Sequence, residues 1–452
     1  MTLDLGKKQI KLIGDISKEK LNKIYSKSID YPNPWLWLNG WANKSIGFKY
    51  LKIKYFEKNK LIKLFLLGLN HVLKSIKLSG FDLHYSGKVG NYSALMVSWC
   101  FKSDFKNNGV YHDRYFNVSS IDDANVFWFL ISIDGYIPEQ LVDNICILKQ
   151  KKISFKNNFS FFLNNFLPEL WKYKFKWKRI FQTLVYESLF AKAIANEVYL
   201  LKTKGFVFNR VIQPYEAQPF QNEINRLLKI QNPHIKTIGY IHSTIPPLPT
   251  CLIRRYGAPE YLFVHGFGQL EILSKLLGWH HENLFNIPSL RYQLIKEEKF
   301  GGWIFLPYDF DQNQQILQAF ELFLSLQLPN SLPVLNSRCH PAKIDSIVHI
   351  ELIENIENLM KKYKNRFSLE IKDNFSIFIG ATSAIIEALE RGTDVVHISP
   401  RPIFETYQSD IWNYLKVEQI NAQLFKYNLL KKGSYIQLGT GNSQFFESIL
   451  KI

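Results

Sequence analysis

A chain of 452 residues, 46 % hydrophobic, 15 % aromatic and 21 % charged, is too long for one ordinary core and too apolar for a disordered protein, so two folded domains are expected. Its formal net charge of +17 predicts an acidic ligand, a nucleic acid or an anionic membrane surface as partner, unless it reflects only the Lys, Asn, Ile and Phe usage of an AT-rich genome. Four cysteines, Cys100, Cys146, Cys251 and Cys339, stand without metal-ligand spacing; a reducing cytoplasm is the simpler reading than a disulfide framework.

The first stretch, MTLDLGKKQIKLIGDISKEK, lacks the apolar core of a signal peptide. Residues 1–90 read as an aromatic and basic extension, helical or irregular, packing on the first domain. Within it, FKYLKIKYFEKNKLIKLFLLGLNHVLKSIKL (48–78) mixes basic and apolar residues at helical spacing. A solvated amphipathic helix is expected there, with docking on an anionic membrane face as the alternative. The longest apolar runs, 61–69 and 126–133, are too short to span a bilayer, so a soluble or peripheral cytoplasmic protein is expected.

From residue 91 short apolar runs recur: ALMVSWCF (94–101), ANVFWFLISI (124–133), GFVFNRVI (205–212) and TIGYIHS (237–243). With helical stretches between them, the clearest at 175–205 and ending at Gly205, they read as buried parallel strands with crossover helices. STIPPLPT (243–250) interrupts regular structure and reads as an interdomain linker. The alternation then resumes, with strands at 260–266, 301–307, 332–341, 375–380 and 393–400 and helices between them. The expected fold is α/β, with two Rossmann-like domains facing a cleft: 91–245, a linker at 246–258, and 259–452.

Several residues in this frame are chemically suggestive. FIGATSAIIEALERG ends a strand at Gly380 and places Thr382 and Ser383 at a helix start, where small hydroxyls either cap the helix or bind phosphate. Glu387 lies one turn on, suited to ribose hydroxyls or simply solvated. NSRCHP carries Arg338, His340 and Pro341 at a strand end, a setting for nucleotide phosphate or for a structural histidine. In the first domain, QPYEAQPFQNEINRLL puts Tyr215, Glu216 and Gln218 between two prolines at a strand's carboxyl end. Glu216 is the candidate general base, its alternative role being charge complementarity at the helix start. His242 and Ser243 end the next strand and are expected beside it. Gly266, in VHGFGQ, would allow close approach of a ligand.

The order of these motifs, HP at 340–341 and then Gly-x-Thr-Ser at 380–383, resembles the C-terminal domain of GT-B glycosyltransferases, and among them bacterial enzymes using CMP-activated sugars, of the sialyltransferase and Kdo-transferase type. YEAQPFQNEINRLLKIQNPHIKTIGYIHS (215–243) resembles a segment of surface-carbohydrate biosynthesis proteins from capsule and lipopolysaccharide gene clusters. The resemblance spans 205–400 and implies a nucleotide-sugar co-substrate, a glycan or lipid-linked acceptor, and no bound metal or cofactor. The Asp/Glu-Asp/Glu-Gly motif that supplies the base in several sialyltransferase families is missing, so Glu216 rests on its own position in the chain.

Three functions compete: a glycosyltransferase with His242 beside the base; a nucleotide-sugar epimerase-like isomerase, which needs several converging carboxylates; and a non-catalytic assembly partner at the membrane. Nucleic-acid binding fits the charge but has no supporting motif, because the lysines are scattered.

Overall fold

The computed structural model describes residues 4–18, 57–75, 80–85, 89–106, 108–151, 186–292, 302–306, 313–326, 334–336, 347–367, 375–380, 382–438 and 443–452, with single positions between 160 and 171. Arg338, His340 and Pro341 lie outside the described residues, as do the greater part of 19–56 and the first part of the helix expected from 175.

The first sheet explains its own sequence. Its strands and two small ladders are, in chain order, β1 (Gly80–Tyr85), β2 (Asn91–Tyr92), β3 (Ala94–Cys100), β4 (His112–Asp113), β5 (Val118–Ser119), β6 (Val126–Ser132), β7 (Ile145–Lys151), β8 (Val207–Phe208), β9 (Arg210–Pro214), β10 (Lys236–Tyr240), β11 (Tyr261–Val264) and β12 (Leu284–Asn286). β2 pairs with β8 and β4 with β5; the other eight form one sheet in the order β1-β7-β6-β3-β9-β10-β11-β12. All of its neighbours run parallel except β1, which is antiparallel to β7. β3 and β6 are apolar on both faces: Leu95 and Val97, opposite Phe127 and Phe129, enter one core, while Met96, opposite Trp128, enters the other. Such continuous apolar runs are what a central parallel strand, covered on both sides, requires.

The helices near this sheet are α1 (Leu5–Lys18), α2 (Lys60–Ser75), α3 (Tyr186–Thr203), α4 (Pro219–Gln231) and α5 (Phe267–Leu276). α3 and α4 cover one face through Ile194, Val198, Ile224 and Leu228. α3 is followed by Gly205 in the left-handed region at φ 94°, the conformation that commonly ends a helix and that glycine adopts without a Cβ penalty.

The second sheet follows with β13 (Trp303–Phe305), β14 (Val334–Asn336), β15 (Phe375–Ile379), β16 (Asp394–Ile398), β17 (Leu415–Gln419) and β18 (Leu424–Leu429), in the order β14-β13-β15-β16-β18-β17. β14, β13, β15 and β16 are mutually parallel, and β18 and β17 add an antiparallel edge. Its helices are α6 (Asn313–Ser325), α7 (Ile347–Tyr363), α8 (Ala384–Glu390), α9 (Pro402–Glu405) and α10 (Ser443–Lys451). The α/β class with two doubly wound units is therefore seen directly in the strand orders.

The boundaries differ from expectation in four places. β11 and β12 belong to the first sheet, so the chain reaches the second sheet only after Tyr292. Of the linker expected at 246–258, residues 246–253 are all buried; prolines end regular structure without requiring exposure. α1 packs not on the first sheet alone but into a core shared by both units, where the buried Gln9 Nε2 donates to the carbonyls of Ile403 (3.0 Å) and Thr406 (2.9 Å). Finally, α10 returns to the first unit, with Ile449 buried against Trp128 and Tyr240 in the same core.

The two units dock through residues 433–437. Gly268 N–H donates to Ser434 O at 2.7 Å, Gln437 N–H to His265 O at 2.8 Å and Gln269 Nε2 to Tyr435 O at 2.5 Å. This docking by itself requires glycine at 266: a Cβ there would overlap the main chain of Ser434 and Tyr435. Gly266→Ala is expected to lower the unfolding temperature, overpacking costing about 1–3 kcal/mol, whereas Gly14→Ala, whose Cβ meets nothing within 4 Å, does not. Thermal denaturation of the two variants beside wild type checks this.

Candidate functional site

In the first sheet the strand order reverses between β3 and β9: β6 and β7 extend to one side, β10 to β12 to the other. Ligands of open α/β sheets bind beyond the carboxyl ends of the strands at such a point. The loops that leave β3, β9 and β10 bring Tyr115, Glu216 and His242 together there.

The Glu216 loop is shaped by one side chain of the following helix. Gln221, 1 % exposed, donates from Nε2 to Pro214 O at 2.5 Å and accepts at Oε1 the N–H groups of Glu216 and Gln218, both at 3.0 Å. Pro219 sits at the first helical position, where a missing N–H costs nothing. The clamp holds Ala217 at φ 57°, a left-handed conformation that a residue with a Cβ rarely adopts and that marks loops shaped for a purpose other than stability.

Glu216 projects from this loop with 24 % of its side chain exposed. Gln218 Nε2 donates to its Oε2 at 2.7 Å, and His242 Nε2 lies 3.4 Å from its Oε1. Burial raises the carboxyl pKa, and the Gln218 hydrogen bond and the Arg291 charge offset part of that rise. His242 is 5 % exposed. Burial holds its pKa well below the usual imidazole value, with the Arg291 charge and His265 acting the same way, so its ring is neutral and able to donate Nε2–H to the carboxylate. Its Nδ1 is buried without a hydrogen-bond partner among the described residues.

Tyr115 packs edge-on against His242, ring centroids 4.4 Å apart. Its loop is fixed by the fully buried Asp113, which accepts from the N–H groups of Tyr115 and Phe116 (2.8 Å each), Ser98 Oγ (2.5 Å) and Tyr111 Oη (2.7 Å). Arg291 is presented from the connection to the second unit. There Tyr240, at the end of β10, accepts the N–H of Leu290 at 3.0 Å, and Tyr292 packs beneath the Arg291 guanidinium at 5.3 Å. Arg291 is exposed and has no carboxylate partner among the described residues, while its charge acts on Glu216, His242 and His265.

The second unit supplies the facing wall. Thr244 Oγ1 donates to Ser383 O at 3.4 Å; Glu387 pairs with Arg391 at 2.6 Å, and burial raises the Tyr292 pKa, with the Glu387 charge adding to the rise. The Thr244–Ser383 contact sets residues 242–244, and with them the Glu216–His242 pair, beside the start of α8 in the second unit. Ser243 contributes its backbone, its carbonyl accepting Nε2–H from the buried His265 at 3.0 Å.

Other candidates have structural duties. Tyr215 is 3 % exposed, points into the core instead of lining the cleft, and donates to Asn222 Oδ1 at 2.9 Å. Gly380 turns the chain at φ 70°, its N–H on Ile398 O and its carbonyl receiving His397 Nε2–H at 2.8 Å. Thr382 Oγ1 accepts Ala384 N–H at 3.2 Å, a local turn bond just ahead of the seven-residue α8.

Tyr115, Gln221, Arg291 and Tyr292 were missed from sequence. The HDRYF stretch did carry a signal, an Asp able to accept N–H groups two and three residues on. Arg291 was hidden by assigning its segment to the second unit. Among the described residues no group of three or more His, Cys, Asp or Glu is placed to hold a metal.

No family model matches the sequence, and no curated protein is similar to it. Among solved structures it is similar to an alpha,alpha-trehalose 6-phosphate synthase from Burkholderia multivorans, at 13 % identity and a TM-score of 0.35 over 67 % of this chain and 75 % of that one. A likeness so distant carries no argument about this chain.

A carboxyl whose pKa is raised in the folded protein contributes a penalty that is absent at low pH and grows as pH rises past the unfolded value. Glu216→Gln is therefore expected to unfold at a temperature no lower than wild type at pH 7–8, with the two converging near pH 4. Melting curves across that range decide it; a variant less stable than wild type at neutral pH assigns the carboxylate a structural role.

Proposed function

We propose that this chain is a glycosyltransferase that moves a sugar from a nucleotide-activated donor to a hydroxyl acceptor. The reading is carried by one arrangement: a carboxylate of raised pKa beside a neutral histidine, with the exposed Arg291 guanidinium acting on both and the start of α8 in the second unit next to them. Transfer to an alcohol requires removal of its proton as oxygen bonds to the anomeric carbon. Glu216 takes that proton, and His242 orients the carboxylate through Nε2–H. The bond from the anomeric carbon to the donor phosphate breaks as the new one forms, and the phosphate leaves with the electron pair. Arg291 is the described cation placed to neutralise it.

The nucleotide belongs on the second unit. Glu387, although engaged by Arg391, keeps acceptor capacity for ribose hydroxyls, since a carboxylate offers about four lone-pair sites. Arg338, His340 and Pro341 are retained as the phosphate-side residues that the motif resemblance implies. The same resemblance supports a CMP-linked donor and a surface polysaccharide or lipid-linked glycan as acceptor.

A thermal-shift panel with millimolar CMP, UDP, GDP and ADP tests this, because a ligand that binds only the folded state raises its stability with concentration. One nucleotide is expected to raise the unfolding temperature of wild type and of Glu216→Gln, and to do so less in Arg291→Gln. With that donor class, Glu216→Gln is expected to lose transfer by about 10²-fold or more. No shift with any nucleotide overturns the reading, and release of epimerised sugar without acceptor replaces it with the isomerase.

A further inference from the structure

The sequence predicts within 48–78 an amphipathic helix packed on the domain, with docking on an anionic membrane face as the alternative, and the structure forms that helix as α2. α2 rests on α3 while leaving a row of large apolar side chains in solvent: Leu61 is 79 % exposed, Ile62 66 %, Phe65 52 %, Leu66 55 % and Leu69 37 %. At 100° per residue these five positions occupy one arc of about 140°. Leu61, Phe65 and Leu69 lie along one line and Ile62 and Leu66 along the next. Single exposed apolar residues are ordinary, but a contiguous face of this kind on a soluble protein marks a contact surface.

Charge decides what covers it. Residues 48–78 hold eight lysines and one glutamate. Lys58, Lys60 and Lys63 border the start of the exposed arc, and Lys63 is paired with Glu57. A second copy of this chain would bring like charges together across the apolar face. A helix with an apolar face and lysines at its margin instead suits the boundary between acyl chains and anionic headgroups, where the side chains bury and the ammonium groups meet phosphate.

We infer that α2 docks the protein on anionic lipid bilayers, lying in the plane of the surface. No described helix is long and apolar enough to cross a membrane, so the contact is one of surface attachment. It is independent of the reading of the cleft, since neither donor nor acceptor enters it.

Flotation of the full chain with vesicles of phosphatidylcholine alone, and with one third phosphatidylglycerol, tests the inference. Binding to the anionic vesicles is expected, weakened at least tenfold between 50 and 500 mM salt and at least tenfold by the double substitution Leu61→Glu and Phe65→Glu. Because Leu61 and Phe65 each expose more than half of their surface, the variant should stay close to the wild-type unfolding temperature. Failure to float with anionic vesicles, or binding unchanged in the double variant, overturns the inference. A wild-type dimer that the substitutions dissociate also overturns it, by assigning the face to a second copy.

Discussion

The cleft depends on the way residues 433–437 are pinned between the two units. On the second unit, the buried carboxylate of Glu390 accepts the N–H groups of Gly433 at 2.5 Å, Tyr435 at 2.7 Å and Ile436 at 3.1 Å. On the first, the same segment meets Gly268, Gln269 and the His265 carbonyl. A carboxylate removed from water is costly unless its lone pairs are occupied, and these backbone donors occupy them. Burial nonetheless raises its pKa, with the hydrogen bonds opposing the rise. Trp412 Nε1 on Pro247 O at 3.2 Å adds a second tie. The result is one apolar core running from Tyr215 and Leu262 to Phe378, Ile385 and Tyr427.

That shared core accounts for what sequence did and did not reveal. Strands such as VFWFLIS and FSIFI are uninterrupted apolar runs because both faces are covered, and a reading by periodicity finds them at once. The assignment of strands to sheets is another matter. β11 and β12 look like any later strand, and only their pairing with β10 places them. Proline at 246, 247 and 249 announces an end to regular structure but says nothing of burial, and here the segment is packed between the units. α1 was similarly opaque: an amphipathic pattern shows that a helix has an apolar face, not which of two cores receives it.

The site was legible where local chemistry carried it. Glu216 between its prolines, and His242 at a strand end, stood out because the chain spends rigid turns on polar side chains at the functional edge of a parallel sheet. The partners that give them their properties were not legible, being far away in the chain. Tyr115 lies 127 residues before His242 and Arg291 lies 75 after Glu216. Gln221 was near in sequence yet looked like any polar helix residue; its three bonds to the loop become visible only in the fold. Thr382 was legible only as two alternatives, helix start or phosphate, and its hydroxyl accepts the Ala384 N–H at the start of its own helix.

The pinning by Glu390 has a further consequence for how a ligand arrives. Many two-domain proteins stay open until a ligand draws them shut, and their apparent affinity is reduced by the rarity of the closed state. Here the facing walls are parts of one folded body, joined through buried tyrosine and tryptophan side chains. Occupancy of the cleft then needs no rearrangement of one unit against the other. Its association rate should rise linearly with ligand concentration, without the plateau that a slow closing step imposes.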